Sequence, residues 1–168
     1  MEPVKVGLLG LGTVGGGTAN VLARNADEIS RRAGRGIVVT HASARDITKP
    51  RLCDTTQMTL TQSPDDVVSD PDVDIIVELI GGDTLSKELV LKAIANKKHV
   101  VTANKALIAK YGNEIFNAAH KQGVMVAFEV HADQTEFLRA DSARLVFVCC
   151  ASSAALVRGV LGWFNPGE

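Results

Sequence analysis

The sequence predicts an α/β fold in which a doubly wound parallel sheet is covered by helices. Short apolar, β-branched runs alternate along the chain with longer segments in which apolar residues recur every three or four positions. Such alternation is typical of βαβ units, which build parallel sheets. A GxGxxG sequence at residues 10–15 lies between the first apolar run and the first helical pattern. Together these observations predict a Rossmann-type, NAD(P)-binding fold.

The first three elements follow from hydrophobic period and from glycine positions. Residues 4–9 form an apolar run that predicts the first strand, and residues 13–32 carry a helical pattern. Gly34 and Gly36 end this helix, and the β-branched run at residues 37–42 predicts the second strand. The apolar positions of the helix are expected to share one face: Val14, Val21, Leu22 and Ile29.

The later elements continue the alternation. Residues 45–62 have no clear period and predict an irregular connection. Ser63 and Pro64 have the residue types of a helix cap and a first helical position. The remaining predicted elements are a short helix from Pro64, a strand over 73–80, a helix capped by Thr84 or Asp83, a strand over 99–102, a helix over 104–122, strands over 124–128 and 145–150, and a short helix over 154–161.

Composition and charge exclude several function classes. The chain has 18 Lys and Arg against 19 Asp and Glu, and its 4% aromatic residues are too few for base stacking. No nucleic-acid partner is therefore expected. The longest apolar run, residues 145–157, is shorter than the roughly 18–20 residues that cross a bilayer, so no membrane partner is expected. The three cysteines and four histidines lack disulfide or metal-ligand spacing, which fits a cytoplasmic location.

The glycine motif predicts a dinucleotide site. Gly10 permits a tight turn, Gly12 lets the backbone approach a pyrophosphate, and Gly15 permits close packing of helix on strand. The amide groups and the dipole at the N-terminus of the following helix favour phosphate groups. A tight turn that binds no ligand is the alternative that the motif alone leaves open.

The residues after the second strand bear on which dinucleotide binds. A carboxylate at this place holds the ribose hydroxyls of NAD, whereas an arginine accommodates the 2′-phosphate of NADP. Because the predicted first helix is long, the decisive position falls at Arg45 and Asp46. Arg45 favours NADP, and Asp46 beside it leaves NAD as the alternative. An ordinary Arg–Asp pair on the surface is the third interpretation.

Three further segments lie at the ends of the later predicted strands, namely VELIGG at residues 77–82, VVTANKAL at 100–107 and VAFE at 126–129. With the segment GLLGLGTVG at residues 7–15, they make residues 3–129 resemble the N-terminal NAD(P)-binding domain of homoserine dehydrogenase. The VELIGG and VVTANKAL segments are more specific than the glycine motif.

The resemblance implies an oxidoreductase that interconverts L-homoserine and L-aspartate 4-semialdehyde with NADP or NAD, in threonine and methionine biosynthesis. Lys105 is then the catalytic residue, placed to polarise the carbonyl or to relay a proton as hydride reaches the carbon. Glu129 matches a carboxylate that helps to hold a sodium ion in the family. The cofactor-binding residues implied by the resemblance are Gly10, Leu11, Gly12, Thr13, Val14, Gly15, Arg45, Gly81, Gly82 and Lys105.

The chemistry of these residues can also be interpreted without the resemblance. All four segments follow predicted parallel strands, at the edge where open α/β sheets bind ligands. Lys105 lies in a first helical turn, where a cation opposes the helix dipole, which suggests a task. A solvated lysine is the alternative. Glu78 is interpreted as a solvated residue at the end of its strand.

The resemblance ends at Glu129. Residues 130–168 contain no lysine, whereas the family's substrate and dimerisation domain carries a second catalytic lysine. We therefore predict an NAD(P)-binding domain over residues 1–129 and a divergent tail over residues 130–168. A truncated or frame-shifted gene near codon 129 is one hypothesis, which translation of the other reading frames tests.

Two classes of function remain open at this stage. The first is a truncated homoserine dehydrogenase that carries mainly the cofactor-binding part, with homo-oligomerisation as an open alternative. The second is a non-catalytic dinucleotide-binding module or fragment that lacks its substrate domain. Another semialdehyde or sugar dehydrogenase of the same fold is a weaker third interpretation.

Overall fold

The computed structural model describes residues 2–129 and 147–148, and it confirms the doubly wound parallel sheet. The strands are β1 (Val4–Leu9), β2 (Ile37–Ser43), β3 (Thr59–Thr61), β4 (Ile75–Glu78), β5 (His99–Thr102), β6 (Val126–Glu129) and β7 (Phe147–Val148). The helices are α1 (Thr13–Arg24), α2 (Ala26–Ala33), α3 (Pro64–Ser69), α4 (Thr84–Ala95) and α5 (Lys105–Gln122).

The described strands lie in the order β3-β2-β1-β4-β5-β6-β7, and every neighbouring pair is parallel. The chain first moves outward from β1 to β3 and then returns to continue from β4 on the other side of β1. The strand order therefore reverses between β1 and β4, and open α/β sheets bind ligands at such a point, beyond the carboxyl ends of the strands.

Two apolar cores cover the two faces of the sheet. On one face, Ala19 and Leu22 of α1 and Ile29 of α2 pack against side chains of β1, β2 and β4. On the other face, α3, α4 and α5 supply the buried side chains. The members of this second helical set are Val67, Val68, Leu89, Val90, Ala93, Ile94, Leu107, Ile108, Ile115 and Ala119. Burial of both faces explains why the strand sequences are nearly continuous apolar runs.

The long first helix predicted over residues 13–32 is wrong, because two helices meet at Asn25. The Asn25 side-chain amide donates to the carbonyl of Val21 at 2.8 Å, while its own carbonyl accepts from the amide of Ile29 at 2.9 Å. Asparagine competes for backbone groups in this way and interrupts helices. Val14, expected on the buried face, is 51% exposed. Gly34 ends α2 in the left-handed conformation, as predicted.

The connection predicted as irregular over residues 45–62 contains the short edge strand β3, which pairs with β2. Two other strands have different bounds from those predicted. β4 stops at Glu78 because the amide of Ile80 donates to that residue's side chain instead of continuing the ladder. β6 begins at Val126 because the amide of Val124 still bonds to the end of α5.

The predicted strand over residues 145–150 is described only at Phe147–Val148, where β7 pairs with β6. The short helix predicted over residues 154–161 lies outside the described residues. Within the part of the chain that the structure describes, no helix is long and apolar enough to span a membrane.

Candidate functional site

The glycine turn between β1 and α1 is built by close backbone approach. Gly10 has a φ of +100°, in the region that favours glycine. A β-carbon on Gly15 would lie 2.1 Å from the carbonyl oxygen of Gly10, so only glycine lets α1 start against the turn. The amide of Leu11 donates to the carbonyl of Ser43 at 2.9 Å, which fixes the turn to the end of β2.

The N-terminus of α1 is open toward solvent. Gly12 is its N-cap residue, no side chain caps the helix, and no acidic residue lies in the first turn. A β-carbon on Gly12 would meet nothing within 4 Å. Thr13 and Val14 are exposed at the first two helical positions. The first turn therefore offers amide groups without intrahelical partners to a group in the open space above it.

A cleft of about 480 Å³ adjoins this turn. It is lined by residues 10–12, by residues 43–46, and by Leu79 and Ile80 of the loop after β4. The cleft spans the ends of β2, β1 and β4, which is the place where the strand order reverses. Its position and its lining suit an elongated ligand that carries phosphate near α1.

Three cations line the cleft: Arg45, Lys49 and Arg51. Arg45 and Lys49 are exposed, and neither side chain has a hydrogen-bond or ion-pair partner among the described residues. Arg51 is half-buried, and its Nη1 donates to the carbonyl of Leu11 at 2.7 Å. Its Nε is buried and has no partner within the described part of the chain. The positive charge here is therefore larger than Arg45 alone would provide.

Lys49 and Arg51 are the site residues that sequence reasoning missed. They lie in a connection without periodicity, and no motif surrounds them. Arg51 is separated from Leu11 by 40 residues, and their contact depends on the fold of the whole β2–β3 connection. The only signal available was the basic character of residues 49–51.

The side chain of Asp46 forms hydrogen bonds within its own loop. Its Oδ1 accepts from the backbone amide of Thr48 at 3.0 Å and from the Thr48 hydroxyl at 2.6 Å. These hydrogen bonds, the side-chain one first, hold the pKa of the Asp46 carboxyl below its usual value. Its backbone carbonyl accepts from the Arg51 guanidinium. The residue is part of the turn that presents Arg45 and Arg51.

Gly81 and Gly82 lie in the loop between β4 and α4, each with a positive φ, of +77° and +78°. A β-carbon at either position would stand in open space, so the glycines are required by backbone conformation. The side-chain amide of Asn104 donates to the carbonyl of Gly82. Asn104 also caps α5 by accepting from the amide of Leu107 at 3.1 Å.

Lys105 is the first residue of α5, directly after this cap. It is exposed, it does not line the cleft, and its side chain has no partner among the described residues. The bond between Asn104 and Gly82 brings the start of α5 next to the glycine loop. The structure thus groups the glycine turn with Arg45 in one cleft, and Gly81 and Gly82 with Lys105 farther along the same sheet edge.

Glu78 is not the solvated residue that the sequence suggested. Its side chain is 0% exposed at the end of β4, between β1 and β5. Its Oε1 accepts from the amides of Ile80 at 2.9 Å and Gly81 at 3.3 Å. Its Oε2 accepts from the hydroxyl of Thr102 at 2.6 Å. The solvated interpretation is wrong because the loop and the next strand fold over the carboxylate and supply its hydrogen bonds.

Glu129 is the last residue of β6, at the same edge of the sheet as the other strand-end residues. Its role as a sodium ligand stays a prediction. Among residues 2–129 and 147–148, no group of three or more His, Cys, Asp and Glu side chains is placed to hold a metal ion.

The chain matches one family over most of its described part. The family model for the homoserine dehydrogenase NAD-binding domain matches residues 10–129. Homoserine dehydrogenase from Pseudomonas aeruginosa is 64% identical over 130 residues, and that from Bacillus subtilis is 40% identical over 129. Each match covers 77% of this chain but only 29% or 30% of the relative. The chain thus spans less than a third of the length of these relatives.

Solved structures of the same enzyme agree with the fold. Homoserine dehydrogenase from Thiobacillus denitrificans matches with a TM-score of 0.72 and 62% identity, over 76% of this chain and 30% of that one. The Staphylococcus aureus enzyme at pH 7.0 matches with a TM-score of 0.72 and 36% identity, over 78% and 33% of the two chains. The similarity concerns the nucleotide-binding part of these proteins.

Proposed function

The chain belongs to the homoserine dehydrogenase family through its NAD-binding domain, and from this premise we propose that it supplies the cofactor-binding part of an NADP-dependent homoserine dehydrogenase. The proposed reaction interconverts L-homoserine and L-aspartate 4-semialdehyde. The observation that carries the proposal is the cleft beside the uncapped N-terminus of α1, which three cations line.

The pyrophosphate is assigned to the glycine turn. Gly10, Gly12 and Gly15 give the turn its shape, and Leu11, Thr13 and Val14 contact the cofactor through the backbone. The uncapped amides of α1 and the open space above Gly12 support this assignment. Helix N-termini attract phosphate because their amide groups and dipole both favour negative charge.

The 2′-phosphate of NADP is assigned to Arg45, with Lys49 and Arg51 beside it. An arginine offers a charge-assisted, bidentate fork to phosphate, and Lys49 and Arg51 add positive charge to the same cleft. NAD binding would need a carboxylate free for the ribose hydroxyls. Among the described residues that line the cleft, three cations stand against the single carboxylate of Asp46, and this excess of positive charge supports NADP over NAD.

The nicotinamide half is assigned to the loop of Gly81 and Gly82 and to the start of α5. The bound cofactor supplies or accepts the hydride. Lys105 is proposed to hold the carbonyl oxygen of the substrate and to stabilise the charge that develops there. Its exposure at the first turn of α5, away from a neutralising partner among the described residues, supports that role.

The proposed domain boundary is residue 129, with residues 130–168 as a divergent segment. The end of the family match supports this boundary. β7 nevertheless pairs with β6, so the sheet itself does not end there. A sodium ion held in part by Glu129 belongs to the proposal as well.

A chimera tests the proposal against the alternative of a non-catalytic dinucleotide-binding module. Residues 1–129 of this chain replace the matching part of the Pseudomonas aeruginosa enzyme, and homoserine oxidation is followed by NADPH absorbance. We expect turnover, with NADP preferred over NAD. Lys105→Ala should lower the rate by about 10²–10³, the effect of removing one such electrostatic contact. A chimera that binds NADP without turnover supports the non-catalytic module instead.

A further inference from the structure

Glu78 is a buried acidic residue to which the proposed chemistry gives no role. It lies in the interior strand β4 among apolar neighbours, and it forms no ion pair with any described residue. An uncompensated buried carboxylate is unfavourable unless hydrogen bonds replace its lost hydration. The Thr102 hydroxyl donates to Oε2 at 2.6 Å, a short O–H···O hydrogen bond.

The hydrogen bonds of Glu78 hold the loop after β4. The amides of Ile80 and Gly81 both point at Oε1, so this oxygen acts as an acceptor. The hydroxyl of Ser86 lies 3.0 Å from the same oxygen and 3.1 Å from the carbonyl of Gly81, and its single proton is donated to one of them at a time. These bonds fix residues 79–82 and the first turns of α4 together.

The second carboxylate oxygen connects this loop with the start of α5. Thr102 donates to Oε2 and accepts from the backbone amide of Asn104 at 3.0 Å. The side chain of Asn104 returns to the carbonyl of Gly82 and caps the helix. A closed ring of hydrogen bonds therefore runs from Glu78 through Thr102 and Asn104 to the glycine loop.

The ring lies at one half of the cofactor path only. In the order β2-β1-β4-β5, Arg45 follows β2, the glycine turn follows β1, and the ring joins the ends of β4 and β5. A dinucleotide crossing the sheet edge would place its adenosine beside β2 and its nicotinamide beside β4 and β5.

We infer that Glu78 is a positioning residue, which fixes the Gly81–Gly82 loop and the start of α5 for the nicotinamide half of the cofactor. This inference rests on the proposed function. Glu78 itself touches neither cofactor nor substrate. It acts through the loop amides and through Thr102, so that its replacement affects one end of the cofactor and leaves the other unchanged.

The test compares two probes on the 168-residue chain. NADPH contains both halves, whereas adenosine 2′,5′-bisphosphate contains only the adenosine half with its 2′-phosphate. Glu78→Gln keeps the size of the side chain but puts an amide nitrogen in place of Oε2. This nitrogen can only donate to the Thr102 hydroxyl, so the hydrogen bond that joins β4 to the start of α5 is reversed and the Thr102 proton loses its acceptor. We expect NADPH binding to weaken about tenfold, and binding of the bisphosphate to change by less than about twofold. The emission change of bound NADPH, which reports on the nicotinamide, should shrink as well.

Matched variants separate positioning from folding. Glu88→Gln makes the same chemical change at an exposed position of α4 and should leave both probes unaffected. Thr102→Val should reproduce the selective loss of NADPH binding, and Thr102→Ser, which keeps the hydroxyl, should restore it. If Glu78→Gln does not fold, the two Thr102 variants decide the question.

The inference alone is overturned if Glu78→Gln or Thr102→Val weakens the binding of both probes equally. It is also overturned if the folded variants bind NADPH with wild-type affinity. A wild-type chain that binds neither probe overturns the proposed function, and the inference with it.

Discussion

The side chains that line the cleft beside the glycine turn differ in whether they already have hydrogen-bond partners within the protein. Arg51 is tied to the glycine turn through Leu11, and Asp46 is tied to Thr48. Arg45 and Lys49 have no such partner among the described residues. A ligand phosphate therefore gains new hydrogen bonds from Arg45 without breaking existing ones.

Arg45→Ala is expected to weaken NADP binding by about 1.5–3 kcal/mol, the range for hydrogen bonds to charged groups. NAD binding should hardly change, because NAD lacks the 2′-phosphate. Titration calorimetry with both cofactors measures the two affinities. Arg24→Ala, at an exposed position outside the cleft, is the control. Equal losses for NADP and NAD would remove the role assigned to Arg45.

His99 at the start of β5 is expected to make stability depend on pH. Burial lowers the pKa of His99 from 6.5 to about 4, and Asp74 opposes this effect only in part. Its Nδ1 accepts from the amide of Met125 at 3.2 Å, a bond that protonation of Nδ1 would break. In the unfolded chain His99 therefore binds a proton near pH 6.5, whereas in the folded chain it does so only near pH 4. Stability falls as the pH falls through this window.

Urea unfolding at pH 7 and pH 5 measures this effect. Between pH 7 and pH 5, the free energy of unfolding of the wild type should fall by about 1 kcal/mol more than that of His99→Asn. This value is reduced because the ring is partly exposed. The asparagine keeps an acceptor near the position of Nδ1 and does not titrate. Equal losses in the two proteins would show that His99 does not carry the pH dependence.

At the scale of residues, sequence reasoning identified the strand-end positions but misjudged the surroundings of Glu78. An acidic residue at the end of an apolar strand suggests solvent exposure. Its burial depends on donors from Ile80, Gly81 and Thr102, and the last of these lies 24 residues away. Arg51 was missed for the same reason, because its partner is distant in the sequence.

At the scale of elements, the start of α1 combines two glycines with different tasks. Gly12→Val should leave the fold intact, because a β-carbon there meets nothing within 4 Å, and should abolish binding of NADPH. The expected change in the free energy of unfolding is about 1 kcal/mol or less. Circular dichroism and a cofactor titration measure the two effects.

Gly15→Ala is the contrasting change. Its β-carbon would lie 2.1 Å from the Gly10 carbonyl, so the turn itself must move. We expect a loss of stability of about 1–3 kcal/mol, typical of overpacking.

Wild-type cofactor affinity in Gly12→Val would mean that this turn does not hold the pyrophosphate.

Strongly periodic elements were predicted well, and local exceptions were not. β1, β5 and α5 lie where their apolar periods predicted them, to within one residue. The sequence did not predict the break at Asn25, because the apolar pattern continues through it from Leu22 to Ile29. β3 was not predicted either, because the short segment TLT has no period of its own and forms a strand only through its pairing with β2.

At the scale of the whole molecule, two buried cores hold a sheet whose carboxyl edge is lined by glycine turns, cations and the Glu78 ring. We propose that this edge supplies the contacts for a dinucleotide. Hydride transfer also requires the substrate to be held within about 3–3.5 Å of the nicotinamide, and such positioning supplies roughly 7–11 kcal/mol of the barrier. The relatives match this chain over less than a third of their length. A polypeptide of these 168 residues is therefore expected to bind the cofactor without efficient turnover.

Titration of the 168-residue chain with NADPH and NADH, each followed by addition of aspartate 4-semialdehyde, measures cofactor binding and catalysis on the same protein. We expect saturable binding with NADPH bound more tightly than NADH, and turnover below about 1 s⁻¹, the lower end of typical enzymes. Failure to bind either nucleotide would contradict the assignment of the cleft and the glycine turn. Turnover above that rate, lost in Lys105→Ala, would contradict the view that these residues supply only the cofactor-binding part.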